Sequence, residues 1–156
     1  MRDKIQEILA NDVKASLSKV AKELEMPLIE VLRQAPTVEK YDVAKIDDLF
    51  AVLRSWERVF LIVITPAFVI EIQDKFAEGF YAHGYFNFHD KNSSIGGHLS
   101  VDKIKEIFLV KDVMFGRESY SIRFYGEDEK EIFGIYVPRD EKKELIQECV
   151  DSFKSL

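Results

Sequence analysis

The stretch Val59-Phe60-Leu61-Ile62-Val63-Ile64-Thr65-Pro66-Ala67-Phe68-Val69-Ile70-Glu71-Ile72 is where the hydrophobic period of the chain changes. Before it, apolar residues recur at helical spacing. Within it, six consecutive apolar residues read as a strand covered on both faces. Thr65-Pro66-Ala67 reads as a turn, and Phe68, Ile70 and Ile72 alternate around Val69 and Glu71 as a second strand.

Towards the C-terminus the two-residue period continues. Strands are predicted near Gly84–Phe88, Gly97–Val101, Ile104–Val110, Tyr120–Tyr125 and Ile132–Val137, with Gly126-Glu127-Asp128-Glu129 as the turn between the last two. A closing helix is predicted from about Asp140, with Leu145, Ile146, Cys149, Val150 and Phe153 on one face. Towards the N-terminus, Ile5, Ile8, Leu9 and Val13 predict one helix, and Leu17, Val20, Ala21 and Leu24 a second. Pro27 opens a third, which carries Leu28, Ile29, Val31 and Leu32 and stops near Pro36. Asp47 is read as the cap of a fourth, with Leu49, Phe50, Leu53 and Trp56 on its stripe. Helices, then strands with short connections, then a helix give an α+β fold with a large, mostly antiparallel sheet. A single domain over 1–156 is expected: 1–57 mainly helical, 58–138 sheet, 139–156 the C-terminal helix.

The 156 residues suffice for one real core, and 47% apolar with 32% charged residues is an ordinary globular balance. The net charge of −6 argues against nucleic acid or an anionic membrane as the main partner. One cysteine, Cys149, allows no internal disulfide. With no signal peptide or membrane span visible, a cytoplasmic location is expected.

The chemistry-bearing residues concentrate in one place. The only histidines, His83, His89 and His98, lie among Gly79, Gly84, Gly96 and Gly97 and the aromatics Phe80, Tyr81, Tyr85, Phe86 and Phe88. Scarce imidazoles beside glycines and aromatic rings suit a flat, apolar ligand that contains a metal. Iron takes an imidazole or a phenolate, the macrocycle takes apolar walls, and its carboxylates take Arg, Lys or backbone donors. The same cluster also arises from unrelated packing and surface roles, and His83-x5-His89 is not a zinc spacing. No nucleophile elbow surrounds Ser93-Ser94 or Ser119, no glycine pattern forms a phosphate loop, and Cys149 sits on an apolar stripe. The segment Leu17–Leu32 has the cadence of a helix-turn-helix, but its second helix opens with Pro27, Leu28, Ile29 and Glu30, which favours packing over reading DNA.

Gly84-Tyr85-Phe86-Asn87 followed by Gly97-His98-Leu99 resembles the HutX/ChuX family of cytoplasmic haem utilisation carriers. Phe115-Gly116-Arg117-Glu118-Ser119, Ile132–Val137 with Arg139-Asp140-Glu141-Lys142, and the N-terminal helix pair with Pro36 extend the resemblance over nearly the whole chain. It implies N-terminal helices, a large antiparallel sheet and a C-terminal helix, similar to one half of the duplicated HemS/ChuS proteins, and hence a homodimer. It also implies a cytosolic carrier of haem b that delivers to a haem-degrading partner. On that resemblance His98 is the iron ligand, Tyr85 its neighbour, His83 a second-ranked contact, and Arg117 a binding residue with Arg123 and Arg139 as further propionate candidates. Two departures stand out: Ile64 occupies a position where some members have a histidine, and Pro138 replaces a glycine. The alternatives are a haem-degrading enzyme, which would need external electrons, and a haem-responsive regulator using the N-terminal helix pair.

Overall fold

The N-terminal helices form where sequence and capping agree. The computed structural model describes residues 1–156 and begins with α1 (Arg2–Asn11), α2 (Leu17–Glu23) and α3 (Leu28–Gln34). The Ser16 hydroxyl accepts from the Lys19 amide at 3.1 Å and caps α2, while Pro27 sits at the N-cap of α3. Ile5, Leu17, Val20, Ile29, Val31 and Leu32 are buried together against Phe108 and Val110 of the main sheet. Arg33 ion-pairs with Glu30, Glu106 and Glu129, so its charge is spent inside the fold. α1 ends before Val13, which is 78% exposed.

The main sheet is wholly antiparallel. It contains β1 (Val38–Tyr41), β2 (Val59–Ile64), β3 (Val69–Asp74), β7 (Ile104–Met114), β8 (Arg117–Gly126) and β9 (Glu131–Tyr136), in the order β1-β7-β8-β9-β2-β3. Its first face buries Ile107, Leu109, Ile122, Phe124, Ile135 and Leu61 beneath α4 (Ile46–Ser55) and α5 (Gln147–Lys154). The Trp56 indole donates to the Ser152 hydroxyl at 2.9 Å and ties those two helices together. The opposite face is covered by α1–α3 only over its β7 side. Its β2-β9 half is open, so β2 is not covered on both faces: Ile64 is 48% exposed.

Beside the large antiparallel sheet that the sequence predicts, β4 (Gly79–Ala82), β5 (Tyr85–Phe88) and β6 (Gly97–Leu99) form a second, separate sheet. Three boundaries also moved. β6 ends at Leu99, because a 3-10 turn over Val101–Lys103 follows. α4 starts at Ile46 behind a 3-10 turn capped by Asp42, and Asp47 instead accepts a hydrogen bond from the Tyr81 hydroxyl at 2.6 Å. α5 starts at Gln147 rather than near Asp140. There the Asp140 carboxylate accepts from the Lys142 and Glu144 amides, closing a turn that a helix would have to break.

Candidate functional site

The second sheet hangs on the first face of the main sheet through aromatic packing. Phe86 is 5% exposed and its ring lies 5.2 Å from Phe50 of α4, which also meets Phe76 at 5.2 Å. Tyr81, Phe86 and Leu99 are in register on the inner face, with Tyr81, on the edge strand, still 53% exposed. Burial and the Asp47 carboxylate push the Tyr81 phenol up to about 12, which keeps it a neutral hydrogen-bond donor.

Alternation then fixes what the outer face carries. Phe80, Asn87 and His98 are in register across the three strands, and Tyr85 follows Asn87 at two-residue spacing. Tyr85 is 42% and Phe80 54% exposed, and His98 is exposed as well. The rings of Tyr85 and His98 stand 5.0 Å apart, edge on. His89, on the same parity, sets its ring 6.4 Å from Phe80. The Asn87 amide donates to the Ala82 and Tyr85 carbonyls at 3.1 and 3.2 Å and stiffens the hairpin beneath them. His83 occupies the hairpin turn with Gly84; both have positive φ, 56° and 81°, as the primed turns of tight hairpins require. That conformation alone accounts for the glycine.

Of the residues expected to act together, the structure joins Tyr85 and His98, leaves His83 at the end of the same hairpin, and separates Arg117. Arg117 stands at the start of β8, on a 450 Å³ cleft with Phe60, Ile62, Tyr136 and Arg139. That cleft opens on the uncovered half of the main sheet, on the face away from the second sheet. Arg123 is 7% exposed and paired with Glu131 at 2.5 Å, so it offers nothing to a ligand. No three His, Cys, Asp or Glu side chains gather to hold a bare metal ion. Imidazole and phenol are the donor types that iron takes inside a flat apolar macrocycle.

Residues 40–156 match the family described as haem utilisation ChuX/HutX. The chain belongs to that family. It is 28% identical to the intracellular haem transport protein HutX of Vibrio cholerae over 165 aligned positions, covering 90% of this chain and 86% of HutX. It superposes on the crystal structure of ChuX with a TM-score of 0.86 at 27% identity, covering 97% of this chain and 94% of that one. The haem-degrading enzyme ChuS of Escherichia coli O157:H7 shares the fold, with a TM-score of 0.75 at 13% identity over 87% of this chain and 41% of the enzyme. Within this ChuX/HutX chain, Phe80 and His89 complete the outer face around His98. The parity Tyr85, Asn87, His89 was the signal for His89, and Phe80 needed the unpredicted strand β4.

Proposed function

We propose that the chain binds haem b on the outer face of the second sheet, with His98 as the iron ligand, and carries it in the cytoplasm to a haem-degrading recipient. The observation that carries this reading is the exposed His98 imidazole beside Tyr85 and Phe80, in a chain of the haem utilisation family. The name of the similar HutX protein supports transport inside the cell, and no helix is long and apolar enough to cross a membrane. Tyr85 shares or replaces the iron contact, and His83 reaches the edge of the macrocycle from the turn.

An open face covers only one side of a porphyrin, so a second copy of the chain supplies the other wall. The homodimer is supported by the exposed apolar hairpin of β2 and β3, where Ile64, Phe68, Val69 and Ile70 are 48%, 62%, 54% and 38% exposed. Arg117, on the other face of the main sheet, does not serve a haem held by His98 of its own chain. The test is to load the protein with hemin, add ascorbate and oxygen, then add apomyoglobin. A carrier keeps its Soret band and passes the haem on; loss of the band resistant to catalase identifies a degrading enzyme and refutes the carrier.

A further inference from the structure

Asp112 is a buried carboxylate without an ion pair. It lies on β7, two residues after Val110 and on the same face, and is 9% exposed. Beside it β1 runs out. The Lys111 amide still donates to the Thr37 carbonyl at 3.0 Å, but the next outward amide, that of Val113, donates to Asp112 Oδ1 at 2.8 Å. The same oxygen accepts from the Leu17 amide at the start of α2, at 2.9 Å. Oδ2 accepts nothing from the chain. No side-chain oxygen of the protein is both enclosed and without a partner, so Oδ2 reaches a surface. The surface that Asp112 lines is a 340 Å³ pocket between α1, the α1-α2 connection and the β7-β8 hairpin.

Joining α2 to β7 does not account for the charge. Burial pushes the Asp112 carboxyl up, against the pull of the Leu17 and Val113 amides and of the Arg123 charge. A neutral amide oxygen would accept both backbone bonds without that desolvation. Buried charges are ordinarily paired. The neighbouring cations are committed elsewhere: Arg123 to Glu131 at 2.5 Å, Lys111 to Glu118 at 3.1 Å, and Lys19 to Asp12 at 2.8 Å.

The pocket in front of Oδ2 has apolar walls and a negative lining. Leu9, Val13, Ala15, Leu17 and Val113 form the walls, and the carboxylates of Asp12, Asp112 and Glu118 outnumber the one ammonium, Lys111. Val13 lines the pocket and is still 78% exposed, so it stands at the mouth as an apolar side chain that nothing in the protein covers.

We infer that this pocket binds a small organic cation, an alkylammonium whose charged end donates to Asp112 Oδ2 and whose chain lies along Leu9, Val13 and Val113. An ammonium brings donors only, and a bond between it and a carboxylate is of the strong, charge-assisted kind. The alkyl chain removes the apolar walls from water. A volume of 340 Å³ is at the small end of ligand sites and suits a short chain. A bare divalent ion fits poorly, because it takes several oxygen ligands and the other carboxylates of the lining are already paired.

The inference goes beyond haem carriage and involves neither His98 nor iron. n-Hexylammonium, 1-hexanol and hexanoate are titrated at neutral pH, where the amine is protonated, into the full chain, Asp112→Asn and Val13→Lys. Calorimetry reads affinity, and amide proton–nitrogen shifts read the place. Hexylammonium should bind saturably, with the largest shifts at the Leu17 and Val113 amides, and the alcohol and the acid should not bind. Asparagine keeps an oxygen for both backbone amides, so Asp112→Asn should resist urea at least as well as the unaltered chain. It should bind hexylammonium about tenfold more weakly or worse, as loss of a charge-assisted hydrogen bond does. Val13→Lys changes an exposed residue, so folding is not at stake, and it sets a competing ammonium at the mouth that should weaken binding severalfold. No saturable binding of hexylammonium, equal binding of hexanol, shifts centred away from Leu17 and Val113, or either folded variant binding like the unaltered chain overturns the inference. If Asp112→Asn fails to fold, Val13→Lys decides by the same criterion.

Discussion

Replacing Phe115 by Asn should stabilise the protein. Phe115 is 100% exposed, so its removal forfeits no burial. Its φ of 52° places it in the left-handed region, which costs an ordinary L-residue roughly 1–2 kcal/mol, and Asn enters that region far more readily. The substitution also creates Asn-Gly at 115–116, the preferred pair for a two-residue hairpin turn with both φ values positive. The net gain expected is about 1 kcal/mol, which for a domain of this size raises Tm by about 2–4 °C. Urea and thermal unfolding followed by circular dichroism read both quantities. An unchanged or lowered stability would mean that the phenyl ring makes contacts its exposure denies, and the strain argument would fall.

Other parts of the structure make equally direct predictions. Arg123→Met removes the buried member of its ion pair and leaves the half-buried Glu131 without a partner, and should destabilise by about 2–3 kcal/mol, read by urea denaturation, whereas a loss under 1 kcal/mol would show that water already serves Glu131. Phe50→Ala removes a ring that is 1% exposed and joins α4 to the second sheet. It should cost about 3–5 kcal/mol and loosen hydrogen-exchange protection in β5 before that in β8. Burial and nearby acids push the Cys149 thiol up to about 11, so an aromatic disulfide reagent at pH 8 should label it only after denaturant is added.

Where one face of an element enters the core, the sequence carries its signature. β7, β8 and β9 alternate because Ile107, Leu109, Ile122, Phe124 and Ile135 face one core, and α2 and α3 keep helical spacing because Val20, Ile29 and Leu32 face the other. β1 and β4 escaped because their patterns are set by position and not by burial. Val38-Glu39-Lys40-Tyr41 is an edge strand with both charges exposed, and Gly79-Phe80-Tyr81-Ala82 leaves its two aromatics exposed. The charged run after Arg139 resembles a helix start until the Asp140 turn is known. At the site, the meeting of Tyr85 and His98 depends on the register of β5 against β6, which pairs Phe86 with Leu99 across thirteen positions of sequence, and no local pattern encodes it. The separation of Arg117 depends on which face of the main sheet each residue takes, and that is settled only when the second sheet docks on Phe50.

The proposed role of His98 as haem-iron ligand is open to direct measurement. Its most direct test is a hemin titration of the unaltered chain and of His98→Ala, followed through the Soret band of the ferric complex. His98 is an exposed side chain on a short strand, so the variant should fold unchanged. In His98→Ala the imidazole-type Soret spectrum should be lost, with haem either bound much more weakly or shifted to a phenolate-type spectrum through Tyr85. An identical spectrum and affinity in the two proteins would contradict it.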